Sequence, residues 1–240
     1  MKNLLFTLLI SLNLISCTAS KCSHLKPPPT QSNINTILPV KSFVKIQTVV
    51  VNEAGGMMPY SSASGFFVSK RRLITANHFC DVEDIKMDFL KRDMYVDVFF
   101  ILTTFSGEVH QPFVIKVDPK NDLCMMAVAE LPDDSDIVAV KLASKEPSIG
   151  EPVFNIAAPL GLFAKEMVPI FHGFYSGDNY SPITDSVVSV YTVPIKNGSS
   201  GSPILNSSGE LIGVVFSGLE EFETVCFSVK FRELKKFLEP

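Results

Sequence analysis

The sequence has no long run of basic residues. Its 21 Lys and Arg are scattered among 25 Asp and Glu, for a formal net charge of -4. The electrostatic footprint of a nucleic-acid binder is therefore missing, and that class of partner is excluded. Cysteine is scarce: Cys17, Cys22, Cys80, Cys124 and Cys226 show no C-x-x-C spacing and no histidine at ligand spacing. A zinc site is not expected from such a set, and no metal or other cofactor is implied. Helical periodicity is nearly absent, and no internal repeat or second domain can be found. With 240 residues, 46% of them hydrophobic and 19% charged, the chain can bury a sizeable core and does not have a disordered composition.

The longest apolar run lies at the N-terminus, where Lys2 precedes residues 4–15, broken only by Thr7, Ser11 and Asn13. This run is too short for a membrane span and reads as an export signal. It ends in Leu14-Ile15-Ser16-Cys17, which resembles a bacterial lipobox: a small residue precedes a Cys that is acylated and becomes the first mature residue. The alternative is an ordinary secretory signal that contains a Cys. The expected organisation is a signal peptide over residues 1–16 and lipidation at Cys17. A polar tether carrying Pro27-Pro28-Pro29 follows over 17–40, and one domain fills 41–240. The mature chain would sit at the cell envelope, held to the membrane by its lipid, or be secreted. If Cys17 is lipidated, four cysteines remain for an oxidising compartment.

From residue 41 onward short apolar runs recur between turn signals, at 43–51, 65–68, 73–75, 96–103, 113–117, 153–157, 187–193, 211–216 and 225–231. Many are rich in Val, Ile and Phe, which suit a pleated surface. Helix is expected only in a turn around 76–80 and at the C-terminus over 231–238. Many short strands at this spacing imply an all-β barrel or sandwich.

Three segments carry candidate chemistry. Gly198-Ser199-Ser200-Gly201-Ser202-Pro203 follows one apolar strand and precedes Ile204-Leu205. The glycines permit backbone angles that a tight nucleophile loop needs, and the amides of Gly198 and Ser200 can point into one small volume. Read alone, it is equally a Gly/Ser hairpin turn. His78 stands where a strand ends, a place more often held by a structural histidine. Asp122 is the one charge opening the apolar stretch 123–128. A carboxylate placed there needs a partner, such as an imidazole N–H, unless it is only a turn residue after Pro119. Acyl transfer to a hydroxyl needs a nucleophile, a base and a carboxylate that orients the base, and these three residues supply one of each.

Together they resemble the trypsin-like serine peptidases, most closely the bacterial HtrA-type proteases. The family order His, Asp, Ser is reproduced at His78, Asp122 and Ser200. Ser64-Gly65-Phe66-Phe67-Val68-Ser69 with Leu73 to His78 is similar to the family's strand pair leading to the histidine. Gly150-Glu151-Pro152-Val153, Ala158-Pro159-Leu160-Gly161-Leu162, Gly173-Phe174-Tyr175-Ser176 and Gly209-Glu210-Leu211-Ile212-Gly213-Val214 match further segments. Two departures stand out: Asn77 intervenes before the histidine, and Ser202 replaces the commoner Gly. HtrA proteases carry a PDZ domain after the peptidase domain, and the expectation here is a chain without one.

The resemblance implies two six-stranded antiparallel β-barrels with a short C-terminal helix and the triad between the barrels. It implies an oxyanion hole from the amides of Gly198 and Ser200, and polypeptide substrates that add as a strand along Phe216, Ser217 and Gly218. Where trypsin keeps its acidic pocket base this chain has Pro194 and then Ile195. Where glutamyl endopeptidases keep a histidine it has Val215. A small or medium apolar residue is therefore expected before the scissile bond. Cys80 and Cys124 each follow a triad member by two positions, and Asp122 and Cys124 share a strand face. They form either a bridge bracing the first barrel or two buried thiols. The competing functional reading is a catalytically inactive member of the fold acting as a surface binding module.

Overall fold

The computed structural model describes residues 38–132, 135–181, 184–219 and 222–239. The signal peptide, Cys17, Cys22 and all but the end of the tether lie outside them. Packing begins before residue 41. Leu38 is buried in the core, and a 3-10 turn over Val40–Ser42 leads into the first strand.

Among the described residues thirteen strands form two units. The first is a seven-stranded antiparallel sheet in the order β5-β4-β1-β2-β3-β7-β6, built from β1 (Phe43–Asn52), β2 (Met57–Phe67), β3 (Arg72–Ala76), β4 (Val96–Thr104), β5 (Val109–His110), β6 (Pro112–Asp118) and β7 (Leu123–Val128). The second is a closed six-stranded barrel in the order β10-β13-β12-β11-β8-β9. Its strands are β8 (Pro152–Ile156), β9 (Ile170–Ser181), β10 (Ser186–Tyr191), β11 (Pro203–Asn206), β12 (Leu211–Leu219) and β13 (Phe222–Ser228). The all-β class and the second barrel are as expected. The first unit differs from a six-stranded barrel by the two-residue strand β5, and no hydrogen-bonded ladder joins β5 to β6 among the described residues.

Side-chain alternation sorts the strands between three cores. Along β7, Leu123 and Met125 face a core shared by both units, while Cys124, Met126 and Val128 face the interior of the first sheet. On β12, Leu211 and Val214 join the shared core, whereas Ile212 and Val215 fill the closed barrel. A continuous apolar layer thus binds the two units together beneath the cleft between them.

Among the described residues three α-helices accompany the strands: α1 (Asn77–Cys80), α2 (Val82–Leu90) and α3 (Phe231–Leu238). Helix α2 was not anticipated. Asp81 caps it by accepting from the Asp84 amide at 3.0 Å. Ile85 and Phe89, one turn apart, bury against Val50. Helix α3 places Leu234 and Phe237 in the shared core. Lys116 of β6 donates to the Phe237 carbonyl at 2.7 Å and lies over the Phe237 ring, which supplies the helix end with a cation.

Candidate active site

Strand register brings His78 and Asp122 together. β3 and β7 are antiparallel neighbours with Ala76 opposite Leu123, so the residues just after β3 and just before β7 must be adjacent. Asp122 adopts a left-handed backbone, φ 52°, which Asp tolerates better than most residues. Its carboxylate spends both oxygens on one residue. Oδ2 lies 2.6 Å from His78 Nδ1, and Oδ1 accepts from the His78 amide at 2.7 Å. The Asn77 amide donates to the Asp122 carbonyl at 3.0 Å, so the intervening Asn77 contributes through its backbone. With Nδ1 held by the carboxylate as a donor, the imidazole presents Nε2 for other work. The His78 side chain is half exposed and that of Asp122 only 17% exposed, which suits a base open to substrate and a shielded orienter. Cys80 of α1 and Cys124 of β7 are bonded as a disulfide that closes the same corner. The alternative of two thiols is not what this structure contains.

Three of the five amides from Gly198 to Ser202, the loop that carries Ser200, are engaged. Ser199 N–H donates to Lys196, Gly201 N–H to Val215, and Ser202 N–H to Ser199. Among the described residues the N–H groups of Gly198 and Ser200 are the two in this stretch with no acceptor. Gly198 (φ 94°) and Gly201 (φ 82°) both need glycine. A Cβ on Gly198 would come within 2.6 Å of the Ala158 carbonyl, and one on Gly201 would overlap the Ser64 carbonyl and Thr75 Oγ1. Ser202, buried where Gly is commoner in the family, accepts from Asn155 Nδ2 at 2.7 Å. Its hydroxyl thus ties the loop to β8.

Two cavities meet at Ser200. One, of about 360 Å³, is lined by Ile195, Val215, Phe216, Ser217, Gly218 and Leu219, with Lys196 and Glu223. The other, of about 590 Å³, lies on the His78 side and is lined by Tyr60, Phe79, Ile85, Leu160 and Asp84, with Ser61 to Ala63 of β2. Ser200 and His78 face this second space together, although among the described residues the Ser200 hydroxyl makes no hydrogen bond. β12 pairs with β11 only as far as Val214, while its ladder with β13 continues. The backbone of Phe216, Ser217 and Gly218 therefore has one free edge along the first cavity. Pro194 does not line this cavity, contrary to the sequence expectation. The wall is set by Ile195, whose amide donates to the Glu223 carbonyl and so pins residue 195 against β13. Sequence reasoning also missed the Lys196–Glu223 ion pair on that wall. Lys196 sits beside the Gly-Ser motif and could have been suspected. Glu223 comes from a distant strand and carried no signal.

A seven-stranded sheet and a closed six-stranded barrel that share a core, with a histidine–carboxylate pair on one and a glycine-braced serine loop on the other, are consistent with the chymotrypsin-like fold class. A family model described as trypsin-like peptidase domain matches residues 63–214, well over half of the sequence, and the chain belongs to that family. It is also similar to a protein of Sinorhizobium fredii (strain NBRC 101917 / NGR234) named uncharacterized protein y4bJ, at 26% identity over 172 residues. That alignment covers 67% of this chain and 22% of the relative, so the chain spans about a fifth of that relative's length.

Proposed function

We propose that the protein is a serine endopeptidase that works through an acyl-enzyme, with Ser200 as nucleophile, His78 as general base and acid, and Asp122 as orienter. The observation that carries this reading is the coincidence, at one cleft, of the 2.6 Å His78–Asp122 pair with a serine flanked by two unspent amides. In the proposed cycle His78 Nε2 takes the Ser200 proton as Oγ attacks the scissile carbonyl. Collapse of the tetrahedral intermediate breaks the C–N bond, and His78 returns the proton to the leaving amine. Water, deprotonated by the same imidazole, then hydrolyses the ester. The amides of Gly198 and Ser200 bind the developing oxyanion, where each donor is worth roughly 10²–10³ in rate.

The substrate strand would lie along the free edge of Phe216, Ser217 and Gly218. Its acyl-side residue would enter the cavity walled by Ile195, Val215 and Leu219. Lys196 and Glu223 neutralise one another there, which supports an apolar preference over a charged one. Cleavage of a peptide library mainly after Arg, Lys or Glu would refute that preference. Within the family, the segments around Ser64, Gly150 and Gly209 support placement near HtrA-type proteases. The lipobox-like ending at Cys17 supports an enzyme anchored at the envelope, with polypeptide substrates reaching it there.

One observation favours the second reading, an inactive binding module: the Ser200 hydroxyl has no hydrogen bond to His78. Such contacts commonly tighten only when substrate is bound. A fluorophosphonate probe separates the two. The wild-type protein should label at Ser200 and Ser200→Ala should not; an unlabelled wild type, or a labelled variant, removes the catalytic reading.

A further inference from the structure

An oxyanion hole works only if its donors are held in place before the charge develops. Gly198 is the weak point of this one, because a glycine at φ 94° has no side chain to stop its flanking peptides from rotating. Part of what holds it lies outside its own barrel. In a trans peptide the N–H and C=O point in opposite directions, so anchoring a carbonyl aims the amide on the same unit. The Gly198 N–H belongs to the peptide whose carbonyl is that of Asn197. That carbonyl accepts from the Leu160 amide at 2.5 Å. The next carbonyl, of Gly198 itself, accepts from the Ser64 hydroxyl at 2.8 Å.

Ser64 lies on β2, in the first sheet, and is completely buried. Its hydroxyl also accepts from the Ala158 amide at 2.9 Å, so it holds the turn that carries the Leu160 amide. Its own N–H donates to the Ser200 carbonyl at 2.9 Å, and its own carbonyl accepts from Thr75 Oγ1 at 2.8 Å. Leu160 is presented in a left-handed conformation, φ 54°, that leucine rarely adopts. One hydroxyl therefore acts on both sides of the Gly198 amide: it holds the following peptide unit, Gly198–Ser199, directly, and steadies the Leu160 donor through Ala158.

We propose that Ser64 is a positioning residue for the oxyanion site, its side chain fixing the direction of the Gly198 N–H from across the cleft. The inference rests on the peptidase reading above and adds to it that the first sheet sets the electrostatics of a hole built in the second. Without the hydroxyl, the Gly198 carbonyl and the Ala158 amide lose their shared partner. The Asn197–Gly198 peptide then keeps only the Leu160 donor, itself less well held, and its N–H turns out of the hole more easily. That weakens transition-state binding and leaves substrate contacts along β12 untouched.

The test compares wild type, Ser64→Ala and a matched control, Ser228→Ala. The Ser228 hydroxyl is likewise buried and likewise joins an amide to a carbonyl, those of Val214 and Val229. With a peptide substrate that wild type cleaves, Ser64→Ala should lower kcat at least tenfold with KM within about twofold. The affinity of a peptide boronate, which places an oxygen in the hole, should fall by a similar factor. Ser228→Ala should lose comparable thermal stability and keep its kcat. If Ser64→Ala does not fold, Ser64→Cys carries the same test, since a thiol is a weak donor. An active wild type with kcat and boronate affinity unchanged in the Ser64 variant overturns this inference alone. So does a loss no larger than that of Ser228→Ala. A wild type that neither cleaves nor labels overturns the peptidase reading and this inference with it.

Discussion

At the scale of single residues, Asp122 shows how one side chain can be committed twice. Its two oxygens go to the ring and to the amide of the same histidine, so ring position and backbone position are set together. Asp122→Asn keeps the shape but puts an amide in place of one acceptor. That favours the imidazole tautomer with its proton on Nε2, the wrong atom for a base. Turnover should fall on the order of 10⁴-fold with KM little changed. Steady-state kinetics on one peptide substrate checks this, and a loss below tenfold would deny Asp122 its orienting role. Asp122 was visible in the sequence because a charge opening an apolar strand needs an explanation. Ser64 was visible only as part of a family-like segment. Its role depends on Gly198 and Ala158, 134 and 94 residues away, and no local pattern encodes those contacts.

Among the elements, the corner formed by α1 and β7 holds the His78–Asp122 pair and the disulfide together. β3 delivers α1 beside the start of β7, and the Cys80–Cys124 bond joins them across 44 residues of sequence. Replacing both cysteines by Ser should cost about 2–4 kcal/mol of stability, mostly by freeing the unfolded chain. Urea melts with and without reductant would measure it. Mass spectrometry of the non-reduced protein should find peptides containing Cys80 and Cys124 linked. Free thiols at both positions in fresh protein would contradict the structure. Cys226 is a different case: burial pushes its thiol up to about 12, so it behaves as part of the barrel core and not as a nucleophile. Most strands were legible as short apolar runs rich in Val, Ile and Phe between turn signals. Helix α2 was not, since only Ile85 and Phe89 mark its buried face and its Asp81 cap resembles any turn residue.

For the molecule as a whole, the closed barrel and the C-terminal helix are tied by Asp178. It accepts from Tyr175 and Ser189 and pairs with Lys230, the residue that precedes α3. Burial alone would raise the Asp178 carboxyl, but the hydrogen bonds from Lys230, Tyr175 and Ser189 outweigh it and hold the group below the usual carboxylate value. A depressed folded value means stability that is complete above about pH 4 and is lost as pH falls through that lower value. Asp178→Asn should therefore cost about 1–3 kcal/mol at pH 7, and the gap to wild type should narrow in acid. Urea midpoints at pH 7 and pH 3 would show it. A gap independent of pH would mean the charge of Asp178 contributes nothing.

The sequence by itself determined the β class, because short Val-, Ile- and Phe-rich runs between turn residues can bury a face only as strands. It also determined which residue types could perform acyl transfer and the order in which they occur. Only the tertiary structure decided what those residues do to one another. The register of β3 on β7 sets His78 against Asp122. The end of the β11–β12 ladder leaves an edge beside Ser200. The buried hydroxyl of Ser64 joins the two halves of the cleft. Each of these is a contact between segments far apart in the chain, and local preference carries no information about which distant segment will supply the partner.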